Sequence, residues 1–454
     1  MPSLTRSAAR IGPPLAAATI LLVPAIWNGF PLLEYDSGGY LARWFEGVLV
    51  PSRSTTYGLF VAAGWPLDFW PIVILQAAAA VWVIGVLLSV YRGGRCPAGL
   101  VAVIAGLAVT TALPWLASEL LTDIFAGLAV LALHALVFRA DRIEPRQRAA
   151  LVVFVAFAAS THSATYAVLL GLSILAAALW LCRRKLMPGA GVVRAAVSLV
   201  LGAVMLLAGN FIVARQIAWT PGGYSLAFAR MLQDGIVARY LNDHCPNPRL
   251  KLCPYRSELP RDADEFLWEG GVFDKLGRFD GLGEEMRTIV LESLRDYPLM
   301  QIKAALVATA KQLVAVGTGE GIVASMWHTT WAIEHYTPSA APAMHAARQH
   351  QKDIDFTLIN AIHVPVAWAA MALLPCLVFL GWRSAAFAEL GCLAATIALA
   401  LLANAAFCGV ISNPHDRYGS RIVWIAVFAA ALTAWRIWDL AWPRFAPPSP
   451  AEVL

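Results

Sequence analysis

The sequence predicts an all-α polytopic membrane protein of about ten transmembrane helices with a small helical subdomain on its outer face. Three observations predict it. Of the 454 residues, 59% are hydrophobic and only 14% are charged, and mean hydropathy is +0.64; a soluble chain of this length needs far more charge to cover its surface. Apolar runs near the ~20 residues required to cross a bilayer recur along the chain. One mostly polar stretch, 215–355, interrupts them.

Arg6 and Arg10 precede the first run, 11–27. It resembles a signal peptide but lacks a convincing cleavage site, so it is read as a retained first helix. Runs follow at 69–91, 98–117 and 119–138. Residues 149–182 form a long run interrupted by "STHSAT", read as two short helices with a turn between them. A run at 195–214 precedes the polar stretch, and runs at 356–382, 385–411 and 422–442 follow it. The segment "QIKAALVATAKQLVAVG" carries Lys303 and Lys311 on nearly one face and reads as an interfacial or loop-domain helix; as an extra span it would break the topology below. Many tryptophans, among them Trp27, Trp70, Trp115 and Trp219, lie near run ends, as an interfacial aromatic belt requires.

Ten spans with both termini cytoplasmic put "YRGGR", "RADRIEPRQR", "CRRKLMPGAGVVR" and "GWRS" inside. All four carry Arg or Lys, whereas the short outer loops, 28–68 apart, carry few. The same count gathers 28–68, 114–123, "STHSAT", 215–355 and "SNPHDRYGSR" on the outer face. It divides the chain into an N-terminal transmembrane module (1–214), an outer subdomain (215–355), and C-terminal helices with a short cytoplasmic tail (356–454). The net charge of +5 reports loop orientation, and no basic stripe suggests nucleic acid. Five of the seven cysteines lie in or beside apolar runs as small hydrophobes. Cys245 and Cys253 flank "CPNPRLKLC" with no third zinc ligand, which favours a local disulfide on an oxidising side. No inverted internal repeat of the transporter kind is visible.

Several polar groups need an explanation. Glu34 and Asp36 stand in "NGFPLLEYDSGGYLARW", directly after a span. A carboxylate there can act as general base toward an acceptor hydroxyl or hold a divalent cation; otherwise it is an ordinary solvated acid. Glu119 and Asp123, at i and i+4, share a face if helical, either complementing a helix N-terminus or serving as metal ligands or a substrate contact. His162, set among hydroxyls, is a hydrogen-bonded structural group or a functional base. "SNPHDRYGSRIVW" supplies His415, Asp416, Arg417, Tyr418 and Arg421. The Arg pair suits a phosphate, or else an Asp or lipid-headgroup contact. The 215–355 stretch holds no nucleophile signature, P-loop or metal spacing and reads as a cover that recognises an acceptor; His328, Glu334 and His335 are weaker candidates within it.

In architecture along most of the chain, and in "FPLLEYDSGGYL", the acids at 119 and 123 and the Arg417-Tyr418 pair, the sequence resembles the GT-C superfamily of polytopic glycosyltransferases. The resemblance implies a polyprenyl-phosphate-linked sugar donor, an envelope glycan, lipid or protein acceptor, and a site on the periplasmic face of a bacterial inner membrane. It implies Asp36 as catalytic acid/base and Glu34 as its partner or a metal ligand. Arg417 or Arg421 would hold the lipid phosphate, with His415, Tyr418 and His162 beside it. Asp123, with Glu119, would ligate a divalent cation (Mg or Mn) if one is used; some members of the superfamily are metal-independent. The Glu-Tyr-Asp motif lacks an adjacent acidic pair and leaves open which acid is the base. The alternative function is a transporter or flippase of lipid-linked or small substrates, which requires ionisable residues along a path through the membrane rather than at one face.

Overall fold

The computed structural model describes residues 2–184 and 189–442. The tail beyond Trp442, expected in the cytoplasm, and part of the connection before residue 189 lie outside the described residues. The first half runs α1 (Pro2–Leu21), α2 (Val23–Asn28), α3 (Ser37–Glu46), α4 (Thr55–Ala62), α5 (Trp70–Arg92), α6 (Pro97–Thr110), α7 (Leu113–Ser118), α8 (Ile124–Phe138), α9 (Pro145–Thr161), α10 (Ser163–Cys182) and α11 (Gly189–Ala214). The middle holds α12 (Gly223–Gln233), α13 (Ile236–His244), α14 (Ala263–Trp268), α15 (Val272–Lys275), α16 (Arg278–Asp296), α17 (Pro298–Val314), α18 (Trp327–Tyr336), α19 (Ala341–Ala346) and α20 (Arg348–Gln351). The chain closes with α21 (Thr357–Arg383), α22 (Ala388–Ile411) and α23 (Asp416–Ala441). No strand occurs among the described residues; Leu32 and Glu119 form an isolated β-bridge.

Among the described residues six helices are long and apolar enough to cross a membrane: α5, α10, α11, α21, α22 with its leading turn, and α23. Ile11–Leu21, Pro97–Thr110 and Ile124–Phe138 are apolar but shorter. The structure therefore supports a multi-pass membrane protein with six full-length candidates, where hydropathy suggested about ten. The difference lies in how the runs break. The first breaks after Leu21 and restarts with Pro24 in the opening turn of α2, a position that needs no amide donor. The 98–117 run breaks at extended Thr111. The 119–138 run becomes helical only at Ile124, because Leu120 N–H donates to the Leu32 carbonyl and Leu32 N–H to that of Ser118, both at 2.9 Å. Glu119 is consequently extended and Asp123 is a helix N-cap, so the two do not share the helix face their spacing suggested. The 149–182 run breaks at His162 alone.

Helix α8 is buried on every side from Ile124 to Val137 and forms the centre of the bundle. In contrast α10, α11 and α21 leave Ile174, Leu181, Val193, Val200, Leu373 and Phe379 exposed, an apolar perimeter that suits lipid. The bundle has two chemically distinct ends. At one, Arg142 makes a two-pronged pair with Glu389 at 2.6 and 2.8 Å, and Arg92 pairs with Asp439. At the other lie the acid loop 29–36, the 119–123 turn, His162 and the 412–416 connection.

The 215–355 stretch is not uniform. Phe228, Tyr240, Phe266, Phe273, Met286 and neighbours form a separate core, stapled by a Cys245–Cys253 disulfide. The remainder packs on the bundle. In α17 the Ala308 carbonyl lies against Gly409 of α22, with Leu299, Ile302 and Leu306 exposed. Met326, Ile333, Ala340 and Met344 join the main core.

Candidate functional site

The acid loop is fixed almost atom by atom. Gly29 ends α2 at φ 84°, a conformation glycine adopts without cost. Gln349 holds Leu33 from both sides, accepting its N–H at 3.0 Å and donating to its carbonyl at 2.6 Å. Glu34 N–H donates to Ser37 Oγ at 3.0 Å, and that hydroxyl donates to the Leu120 carbonyl at 2.9 Å. Thr329 Oγ1 accepts from Gly38 N–H at 3.1 Å and lies 2.8 Å from the Tyr35 carbonyl. Gly321 is close-packed on Glu34: a Cβ there would fall 2.7 Å from its Cγ. A pair of ordinary solvated acids needs none of this; Glu34 is only 3% exposed.

Arg417 joins three of the expected site acids. Its Nη1 meets Glu34, its Nη2 donates to Asp36 Oδ2 at 2.9 Å, and its Nε lies 3.2 Å from Asp123 Oδ2. The last is a charge contact rather than a directed hydrogen bond, since neither atom has a hydrogen-bond partner. One turn on, Arg421 Nη1 reaches Asp123 Oδ1 at 3.4 Å and His162 Nδ1 at 3.3 Å, so that imidazole nitrogen is the acceptor and His162 is neutral. Both guanidiniums lie over the Tyr418 ring, 5.3 and 5.4 Å from its centroid. Glu34, Asp36, Asp123, His162, Arg417, Tyr418 and Arg421 thus form one cluster. His415 stands just outside it, between Asp264 and Glu320. Glu119 contributes its backbone, through the bridge to Leu32.

Sequence reasoning missed three members. Arg53, from the loop before α4, pairs with Asp36 on the side opposite Arg417 and lies over Tyr40. Asn404 Oδ1 accepts from Arg421 Nη2 at 2.7 Å, and its amide donates to the Tyr418 carbonyl at 2.7 Å. Glu320 accepts the Arg417 backbone N–H at 2.8 Å. Asn404 had a legible signal, a polar amide inside an apolar span; Arg53 is the one charged residue of the 47–54 loop. His328, Glu334 and His335 stay outside the cluster, Glu334 pairing with His345 at 2.8 Å. Asn404→Ala leaves the buried Arg421 fork short of its best acceptor. It is expected to lower stability by about 1–3 kcal/mol, read as a fall in melting temperature.

The two acids of the loop differ electrostatically. Burial pushes the Glu34 carboxyl up to about 7, only partly countered by Arg417. Asp36 is partly buried, but the Arg53 and Arg417 guanidiniums beside it outweigh burial and hold it below the usual carboxylate range. Near neutral pH Asp36 is ionised and Glu34 is balanced between its two forms. A divalent cation does not fit this donor set. Guanidiniums occupy the space between the carboxylates, Asp123 is shared by Arg417 and Arg421, and no group of three or more potential ligands converges among the described residues.

Openings flank the cluster. On the Arg53 side a crevice is lined by Ser54, His162, Ser163, Leu206 and Trp219. On the Asp416 side a cavity of about 350 Å³ is lined by Thr318, Glu320, Phe356 and Asn360. No family model, curated protein or solved structure matches the chain.

Proposed function

We propose that the protein is a membrane glycosyltransferase that moves a sugar from a polyprenyl-phosphate donor to a cell-envelope acceptor, on the face where the acid loop lies. The observation that carries the reading is the convergence of Arg53, Arg417 and Arg421 on Asp36, Glu34 and Asp123 at one end of an apolar bundle. Ion pairs this buried are expensive to assemble, and loops and the start of α23, far apart in sequence, supply them.

In the proposed reaction the donor's phosphate lies against Arg53 and Arg417, the two guanidiniums that meet Asp36. The acceptor hydroxyl oxygen attacks the anomeric carbon as the bond from that carbon to the phosphate oxygen breaks. Polyprenyl phosphate leaves with the bonding electrons, and the guanidiniums stabilise the charge that develops on it. Asp36, whose side chain is 15% exposed against 4% for Glu34, takes the acceptor's proton. Free of substrate, Asp36 is too strongly paired to be basic; a phosphate that draws off its guanidiniums raises its proton affinity as the donor arrives. No step requires a metal.

The test supplies labelled polyprenyl-phosphoryl sugars and an envelope fraction to the protein in liposomes. A covalent labelled product supports the reading, whereas flux of intact donor without any product favours the transporter alternative.

Glu34 gives a separate prediction. A phosphodiester donor keeps one negative charge throughout the neutral range, so any pH dependence of its binding belongs to the protein. Neutral Glu34 leaves the cluster one unit more positive than ionised Glu34. Donor affinity is therefore expected to fall as pH rises through about 7, with binding coupled to proton uptake. Glu34→Gln mimics the neutral form and is expected to bind with a flat profile at the low-pH affinity. An unchanged slope in Glu34→Gln assigns the titration elsewhere.

A further inference from the structure

The connection from α22 to α23, residues 412–415, is hooked at two points to the disulfide-stapled subdomain. Asn413 Oδ1 accepts from Arg230 Nη1 and Gln233 Nε2, both at 3.1 Å, while its amide donates to Asp264 Oδ2 at 3.0 Å. His415 presents Nε2 to Asp264 Oδ2 at 3.2 Å and Nδ1 to Glu320 Oε1 at 2.8 Å. Both ring nitrogens face carboxylate oxygens, and only the doubly protonated imidazole satisfies both as donor. Gln312 of α17 fixes the His415 backbone from both sides, accepting its N–H at 3.0 Å and donating to its carbonyl at 2.8 Å. The second oxygen of Glu320 accepts the Arg417 backbone N–H at 2.8 Å. A continuous polar chain thus runs from Asp264 in α14 through His415 and Glu320 to Arg417.

We propose that His415 and Asp264 are positioning residues that lock the stapled subdomain to Arg417, so that a phosphate held by Arg417 changes the docking of the subdomain and the docking changes how the phosphate is held. The proposal rests on the reading of Arg417 as a phosphate holder. Burial alone would disfavour imidazolium, but the hydrogen bonds it donates to Asp264 and Glu320 raise the His415 pKa to about 10, so the lock is closed at neutral pH. As separate ion pairs at partly exposed positions these contacts would be weak. Here one ring is shared by two acids on different elements, and the same short segment leads directly into Arg417. Coupling of this kind is reciprocal by thermodynamic necessity.

The experiment uses the full chain in nanodiscs, with amide hydrogen exchange as readout and undecaprenyl phosphate as probe. His415→Gln and Asp264→Asn, without probe, are expected to exchange about 10-fold faster at 263–268 and 413–418 than the unmodified protein. Exchange equal to that of the unmodified protein in both variants would overturn the lock. With probe, the unmodified protein is expected to gain protection at 263–268. The variants are expected to bind the probe more weakly, by the factor by which it protects 263–268 in the unmodified protein, and to show no such gain; protection kept in His415→Gln overturns the coupling. Failure of the unmodified protein to bind undecaprenyl phosphate removes the phosphate reading of Arg417, and the comparison without probe still decides the lock.

Discussion

Arg417→Ala is expected to reduce sugar transfer by about 10³-fold and to be the most damaging substitution in the protein. One guanidinium supplies Nη1 to Glu34, Nη2 to Asp36 and Nε to Asp123. Its removal leaves the buried Glu34 and Asp123 and the partly buried Asp36 with Arg53 and Arg421 only. Breaking a buried pair typically costs about 3–5 kcal/mol, and the acids recover part of this by taking up protons. The folded variant is therefore expected to hold Glu34 protonated well above neutral pH, which also weakens the network around Asp36. Arg417→Lys separates charge from geometry. A lysine ammonium restores the positive charge but is a single point with no planar fork, and it cannot meet three acids from two separate segments. Transfer by Arg417→Lys is expected to stay about 10²-fold below that of the unmodified protein, with most of the stability regained. Recovery of full transfer in Arg417→Lys would mean that charge alone suffices and that the three-way geometry is incidental.

The membrane class, the main apolar helices and, within the cluster, Glu34, Asp36, Asp123, Arg417 and Arg421 were legible in the sequence, because each leaves a local mark; Arg53 was not. A long apolar run is visible as such, and a carboxylate or guanidinium beside one is costly enough to stand out. The breaks inside the runs were less legible. Nothing local to 119–123 says that Leu32 captures Leu120 and delays the start of α8 until Ile124. A helical-spacing argument accordingly put Glu119 and Asp123 on one face, while the bridge sends Glu119 into backbone pairing and leaves Asp123 at the N-cap, beside Arg417 and Arg421. The pairings themselves were out of reach. Arg417 and Glu34 are 383 positions apart, and Thr329 reaches Gly38 across 291. Periodicity and composition do not encode such contacts. Gln349 is the plainest example: an unremarkable residue in "ARQHQ" whose amide holds both backbone groups of Leu33 and thereby sets the loop that carries the acids. The extent of the stapled subdomain was also only partly legible, since the polarity of 298–355 resembles that of 223–297 although Met326, Ile333, Ala340 and Met344 join the bundle core.

The second large effect is that of Asp36→Asn. The amide keeps the size of the carboxylate and one acceptor oxygen, so Arg53 and Arg417 each retain a neighbour, and Arg417 keeps Glu34 and Asp123. What is lost is the negative charge and the capacity to accept a proton. A general base contributes about 10²–10⁴-fold to rate, and a loss of that size is expected in the chemical step. Binding of the donor is expected to hold or tighten, because one negative charge has left a site that receives a phosphate. That split, with rate lost and binding kept, separates a base from a structural ion-pair partner, whose removal weakens both.

The most direct measurement is single-turnover transfer from a labelled polyprenyl-phosphoryl sugar by Asp36→Asn and the unmodified protein side by side in liposomes, with melting temperature recorded on the same samples. The account predicts a folded variant that binds donor and transfers its sugar at least about 10²-fold more slowly. A folded Asp36→Asn protein that transfers at the unmodified rate would contradict it.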